Sequence, residues 1–140
     1  MHHSYDFFIE QPEDRNIKKK FLIRKKDENP MYLAGLYQEI FDPDTGEVTL
    51  AFAIKTTAYS NITIQAQHHR SPVITPDAYI FQYLDPKAHA QHLTAFYPPP
   101  SAEGFQAYQV DPIIAKRNCP LPKDDPKLIA PIGDILSPIL

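Results

Sequence analysis

Tryptophan, glycine and cysteine are scarce in this sequence, which has no tryptophan, four glycines and one cysteine in 140 residues. A single cysteine excludes an internal disulfide framework and a multi-cysteine zinc site. Four glycines can hardly build a glycine-rich phosphate loop. The sequence also lacks a signal peptide and any run near the ~20 apolar residues of a membrane span. We therefore expect a cytoplasmic protein that uses no cofactor.

The sequence also lacks a large excess of positive or negative charge, because the net charge is −3 and the pI is about 6.0. The field of the whole molecule therefore does not indicate nucleic-acid binding, which would need a local basic patch. Proline is abundant instead, with 15 residues against an average usage of roughly 5%. Because proline disrupts helix interiors and central strands, we expect few long helices.

Short β-prone segments dominate the chain and predict its fold class. Strands are predicted at residues 7–9, 18–26, 31–41, 47–57 and 105–110. The alternation of Val48, Leu50, Phe52 and Ile54 predicts one buried face. Thr75 precedes Pro76 and predicts a helix that starts there and stops before Asp85. Shorter helices are expected at residues 61–67 and 86–96. The sequence thus predicts one α+β domain over residues 1–140, mostly antiparallel, with a bifurcated or barrel-like sheet and a few short helices.

The segment His68-His69-Arg70-Ser71-Pro72 carries the clearest chemical signal. Imidazole titrates near neutral pH and suits proton transfer, and the guanidinium of Arg70 suits phosphate. On spacing alone, solvated loop histidines are the better interpretation.

A second histidine pair, His89-x-x-His92, has a spacing that can share a helix face. It lacks carboxylate and cysteine partners, so a solvated polar face is the better interpretation and no metal is expected.

Two basic clusters bracket the second predicted strand. They consist of Lys18, Lys19, Lys20, Arg24, Lys25 and Lys26. On paired strands these charges could follow a phosphate backbone, with Tyr and Phe rings available for base stacking. The alternative is that they are solvated strand flanks that protect an edge from aggregation.

Several segments together match a known pattern in order, spacing and content. They are Pro30-Met31-Tyr32-Leu33-Ala34-Gly35-Leu36-Tyr37, Asp42-x-x-Thr45-Gly46, Ala53-Ile54-Lys55-Thr56-Thr57-Ala58-x-x-Asn61, His68-His69-Arg70-Ser71-Pro72-Val73-Ile74 and Asp124-Asp125-Pro126-Lys127-Leu128-Ile129-x-Pro131-Ile132. The chain resembles the second half of the SRAP family, the SOS-response-associated peptidases or abasic-site processing proteins. The resemblance runs from Phe7 to Ile132.

The resemblance implies a function as well as a mostly β fold. SRAP proteins bind single-stranded DNA at abasic sites, and an N-terminal cysteine forms a thiazolidine crosslink with the open-chain sugar aldehyde. An asparagine, a glutamate and a histidine assist, and the family is also credited with autoproteolysis. By position in the motifs, the family histidine corresponds to His68, its arginine to Arg70 and its glutamate to Glu10. A carboxylate and an imidazole suit the proton transfers of aldehyde chemistry.

The beginning of the chain departs from the family pattern. It reads Met-His-His-Ser where the family has Met-Cys-Gly-Arg, so we expect a domain without the family's N-terminal segment and with impaired crosslinking. Cys119 lies near the other end and cannot offer an α-amine. Three possibilities stay open: a DNA-binding protein without crosslinking, an enzyme completed by another chain or by a second copy, and a non-catalytic remnant that acts in interactions.

Overall fold

The computed structural model describes residues 2–58, 63, 66–88 and 102–136. The strands are β1 (His2–Tyr5), β2 (Phe8–Glu10), β3 (Lys20–Lys25), β4 (Met31–Phe41), β5 (Val48–Ile54), β6 (Thr56–Ala58), β7 (Arg70–Pro72), β8 (Ile74–Thr75), β9 (Phe105–Val110) and β10 (Ile135–Leu136). One α-helix, α1 (Ile80–Leu84), and short 3₁₀ turns accompany them. The predicted α+β class, mostly antiparallel strands with little helix, is confirmed.

The strands form two four-stranded sheets and one two-stranded ladder. The first sheet has the order β1-β4-β5, with β8 also paired to β4, and the second has the order β10-β9-β3-β2. The strands β6 and β7 pair with each other. Every pairing is antiparallel, and the sheets stay open in the part of the chain described.

The main core lies between the inner faces of the two sheets. Phe21 and Ile23 of β3 pack there against Met31 and Leu33 of β4. The alternate residue Leu22 points to the other side of β3, where it packs in a second cluster with Tyr108. Strand β3 is therefore buried on both faces. This explains its continuous apolar run between basic ends.

The second half of β4 and strand β5 form a two-stranded arm, joined by a turn in which Gly46 has φ +74°. Opposite residues in an antiparallel pair share a face, and the register puts the following large side chains on one face, each more than half exposed. They are Tyr37, Phe41, Val48, Leu50 and Phe52. We call this surface the arm face. The prediction that Val48, Leu50 and Phe52 are buried is wrong, because each is more than half exposed. Ile54, the fourth residue of the alternation, is partly buried against the main core.

The predicted helix after Thr75 is shorter and starts later than expected. Thr75 is buried and pairs with Tyr32 in the β4–β8 ladder, so its backbone is extended and it does not cap a helix. A 3₁₀ turn at Asp77–Tyr79 precedes α1, and the helix ends at Leu84 as predicted. The predicted strand over residues 47–57 is also interrupted, because Lys55 separates β5 from β6.

Two further predicted helices fall mainly on parts of the chain that the structure leaves undescribed. These are residues 61–67 and 86–96, and the second range includes His89 and His92. Within the described ranges, no helix has the length and apolar character needed to cross a membrane.

Candidate functional site

Glu10 and His68 come together although they are far apart in the sequence. Glu10 is the last residue of β2, and His68 lies in the loop that leads into β7. Glu13 N donates to the Gln67 carbonyl at 3.2 Å, which ties the two loops together. The His68 Nε2 atom then lies 3.5 Å from Glu10 Oε2, with 25% and 17% of the two side chains exposed. The fold therefore builds a half-buried carboxylate–imidazole pair.

The hydrogen bonds of the His68 ring indicate which nitrogen holds the lone pair. His68 Nδ1 lies 3.2 Å from the carbonyl oxygen of Gln11, and a carbonyl can only accept, so Nδ1 carries a hydrogen. In the neutral ring the Nε2 lone pair faces Glu10. Burial raises the pKa of Glu10 above its ordinary value, and the positive charge on protonated His68 opposes that rise only in part. The pair is thus suited to share one proton and to pass it on.

Arg70, the first residue of β7, has its guanidinium fixed by a neighbouring strand. Its Nε donates to Thr56 Oγ1 at 2.9 Å, and its Nη2 donates to the same oxygen at 2.6 Å and to the Thr56 carbonyl at 3.2 Å. These bonds orient an exposed fork before any ligand arrives, which reduces the entropy lost on binding an anion.

A basic cleft of about 550 Å³ lies next to the Glu10–His68 pair. Its cationic lining residues are Arg15, Lys18, Lys20 and Lys116. Gln11 borders the cleft and joins the two features: its side-chain oxygen accepts from Lys20 Nζ, and its backbone oxygen accepts from His68. The cleft therefore offers several positive charges at a surface that adjoins a proton-transfer pair.

The family of this fold follows from comparison with known proteins. A family model described as SOS response associated peptidase (SRAP) matches residues 5–117, which is most of the chain. The chain belongs to the SRAP family. None of the curated proteins matches this SRAP chain.

Solved structures share the fold of this SRAP chain. A protein from Bacteroides thetaiotaomicron matches 94% of the chain with a TM-score of 0.83 and 23% identity. A protein from Bordetella bronchiseptica matches 79% of it with a TM-score of 0.67 and 20% identity. At these identities the likeness establishes the fold. The SRAP chain spans 56% and 55% of the lengths of these two proteins.

The basic residues predicted to bind DNA divide into distinct environments in the SRAP chain. Lys18 and Lys20 line the basic cleft, whereas Lys19 does not. At the other end of β3, Arg24 pairs with Glu28 at 2.9 Å and Lys25 pairs with Asp77 at 3.1 Å. The remaining cation, Lys26, uses its backbone N–H to bond Gly104. The first cluster thus borders the cleft, whereas two cations of the second cluster are paired with carboxylates.

Sequence reasoning missed the other cleft residues. Arg15 stands three residues before Lys18 in a proline-containing loop, and Lys116 follows the 3₁₀ turn Pro112–Ala115. About a hundred residues of chain separate these two cations, so no local spacing connects them. Only the packing of the C-terminal segment beside β2 and β3, seen in the second apolar cluster, brings them together.

Sequence reasoning also missed the role of Glu13. Its Oε1 accepts a hydrogen bond from the backbone N–H of His69 at 2.8 Å and also contacts His69 Nδ1. The two adjacent histidines thus have a carboxylate neighbour each, Glu10 for His68 and Glu13 for His69. A pattern of two glutamates three residues apart is the one local signal that could have indicated this.

Proposed function

We propose that this SRAP protein binds single-stranded DNA at abasic sites as part of the response to DNA damage. The observation that carries the proposal is the basic cleft bordered by Gln11, which also holds the imidazole of His68. Phosphates of a single strand are attracted by the cleft cations. The sugar next to a bound phosphate then lies toward Glu10 and His68. An abasic sugar has no base to occupy that space, so its open-chain aldehyde can enter.

The Glu10–His68 pair supports proton transfer at that sugar. In a β-elimination, a base removes a proton from C2′ beside the aldehyde, and the C3′–O bond breaks. The electron pair of the C–H bond becomes a C2′–C3′ double bond, and the 3′ phosphate leaves with the electrons of the broken bond. Ionised Glu10 can accept the C2′ proton, and His68 Nε2 can relay it. No external oxidant or reductant is needed.

We propose that the thiazolidine crosslink of the family is impaired in this chain by itself. The crosslink needs a thiol and a free amine on one residue. Cys119 is the single cysteine of the sequence, and its nitrogen is an amide that donates to the Lys116 carbonyl at 3.2 Å. Binding and slow strand cleavage, rather than covalent capture, are therefore the expected activities of the isolated chain.

A single-stranded oligonucleotide with one abasic site tests this function. We expect wild-type protein to bind it at low micromolar concentration, measured by fluorescence anisotropy, and to speed strand cleavage on a gel. His68→Ala should lower the cleavage rate about 10²–10⁴-fold, the usual contribution of general acid–base catalysis, with binding retained. The neighbouring His69→Ala is the matched control and should cleave normally. Absence of binding to the oligonucleotide would refute the whole proposal. Binding without cleavage would refute only the catalytic role of His68.

A second proposal concerns the arm face, which needs a partner. Three aromatic and two aliphatic side chains on it are more than half exposed. A buried aromatic side chain removes about 150–250 Å² from water, and the three rings here keep more than half of their surface exposed. The exposed apolar area of the arm face is therefore larger than that of singly scattered surface residues. Strand β5 is also free of charged residues and proline, which natural edge strands usually use to prevent association.

We propose that a second polypeptide, different from this chain, covers the arm face. The two solved relatives have the same fold in longer chains, of which this chain spans 56% and 55%, so related proteins include a further segment that this sequence does not match. Glu39 lies on the arm face opposite Leu50, and the face has no basic residue. Pairing with a second copy would bury two such carboxylates without cations, at a high energetic cost. A partner with an apolar surface and one basic residue avoids that cost.

Light scattering after size exclusion tests the partner. The probe is the segment of the Bacteroides thetaiotaomicron protein that has no counterpart here, co-expressed with this chain. We expect a one-to-one complex that Leu50→Glu abolishes and that Lys19→Glu leaves intact. A homodimer of this chain alone that Leu50→Glu dissociates would show that the occupant is a second copy. If neither the complex with the co-expressed segment nor the homodimer forms, the proposed interface at the arm face is refuted.

A further inference from the structure

Glu13, His68 and His69 form a cluster that the proposed DNA chemistry uses only in part. One ligand atom from each residue lies within 4.8 Å of the other two. The two imidazole rings have their centroids 5.4 Å apart and are tilted by 41°, and one nitrogen of each ring lies near the Glu13 carboxylate. A left-handed residue, Gln67 with φ 57°, precedes them and turns the chain.

We propose that these three residues bind a divalent zinc ion. Two imidazoles and one carboxylate are a common zinc donor set, and they leave a fourth tetrahedral position open. Ligand atoms about 2.0–2.2 Å from a zinc ion stand at tetrahedral separations, whereas Glu13 Oε1 and His69 Nδ1 contact each other directly. Binding therefore needs a small rotation of Glu13 and His69 that lets the ion enter between them. Both of these side chains are about half exposed or more and can rotate without disturbing the core.

The hydrogen bond of His68 supports a built site rather than a chance cluster. Histidines that bind metals usually donate their other ring N–H to a carbonyl or carboxylate, which fixes the tautomer. His68 Nδ1 already lies 3.2 Å from the Gln11 carbonyl, which leaves Nε2 available for the metal. The loops that hold the ligands are also tied together, by Glu13 N to Gln67 O at 3.2 Å and by His69 N to Glu13 Oε1 at 2.8 Å.

The proposal has a consequence for His68. Zinc bound at Nε2 occupies the lone pair that faces Glu10, so metal binding and proton transfer by this pair exclude each other. Zinc is then an inhibitor of strand cleavage rather than a cofactor for it. The metal site does not depend on the DNA-binding proposal, since none of its three ligands lines the basic cleft.

Isothermal titration with zinc sulfate tests the site on the metal-free 140-residue chain. We expect one ion per chain in wild type, with at least tenfold weaker binding in Glu13→Gln and in His69→Ala. Glu47→Gln, at an exposed position on the arm, is the matched control and should bind normally. Cobalt replacing zinc should give the visible absorption of a four-coordinate ion in wild type and lose it in His69→Ala. Affinity unchanged by both ligand substitutions would overturn the proposal, as would a stoichiometry of zero.

A second measurement separates this site from the other histidines. The variant His89→Ala with His92→Ala should retain wild-type zinc affinity. If that variant loses the ion while His69→Ala retains it, the metal belongs to the His89-x-x-His92 motif and the proposed site is wrong. Circular dichroism of each variant confirms that it is folded.

Discussion

Single charge removals in the basic cleft provide the sharpest test of DNA binding. Lys18 lines the cleft while its neighbour Lys19 does not, and Lys116 lines it while its neighbour Arg117 does not. Each pair therefore offers the same change in net charge at adjacent positions. We expect Lys18→Gln and Lys116→Gln to weaken binding to a single-stranded oligonucleotide. Lys19→Gln and Arg117→Gln should have little effect.

The size of the effect follows from the number of cations. If all four cleft cations displace counterions from a single strand, log K falls against log salt with a slope of about −2.8, at about −0.7 per charge. Affinity then drops about 50-fold between about 50 and about 200 mM salt. Without Lys18 the slope becomes about −2.1 and the drop roughly 20-fold. Lys19→Gln should retain the steeper slope.

Fluorescence anisotropy of a labelled oligonucleotide, titrated at several salt concentrations, measures these slopes. Oligonucleotides with and without an abasic site should show the same slope, because the charges bind phosphates rather than the missing base. Equal losses of slope in Lys18→Gln and Lys19→Gln would refute the assignment of the cleft, since only general surface charge would then matter. A slope near zero in wild type would refute phosphate binding altogether.

Three further predictions concern stability and orientation. Burial raises the pKa of Glu10, so its contribution to folding is favourable below about pH 4.3, the ordinary glutamate pKa, and is lost as pH rises through the folded value. Glu10→Gln should therefore raise Tm at neutral pH and lose that advantage in acid, and a constant difference would contradict this. Leu22→Ala should cost about 2–5 kcal/mol by urea unfolding, whereas Leu50→Ala on the arm should cost less than about 0.5 kcal/mol; similar values would contradict their burial. Thr56→Val should reduce DNA affinity a few-fold at an unchanged salt slope, because Arg70 keeps its charge and loses its orientation; a changed slope would contradict this.

Local sequence signals predicted most strands but not the partners of their faces. The prediction for β4 matched residue by residue, because proline, glycine and aspartate turns mark both of its ends. The alternation in β5 correctly indicated an apolar face. Whether such a face is buried depends on a second layer, and Leu50 stays more than half exposed in the described part of the chain. Periodicity reports which side chains share a face, and tertiary structure decides what covers that face.

The candidate site also contains some residues that the sequence predicted and others that it did not. Glu10 and His68 were predicted through the family resemblance, and the structure places them 3.5 Å apart. Lys116 and Glu13 were not predicted, because the first is brought to the cleft from the far end of the chain and the second acts through the loop around Gln67. Such contacts depend on sheet order rather than on local spacing.

The unfavourable features of this molecule support functional explanations more strongly than its favourable ones. A half-buried carboxylate such as Glu10 lowers stability at neutral pH, and its imidazole partner offsets only part of that cost. The exposed Phe52 and Leu50 of the arm face lose the stabilisation that burial would provide. Natural sequences are usually consistent at the local and global levels, and departures concentrate where function requires them. Here the departures lie at separate places, one beside the basic cleft and one on the arm. We therefore expect separate ligands, a DNA strand at the cleft and a polypeptide at the arm, and Leu50→Glu should abolish the second without altering the salt slope of the first.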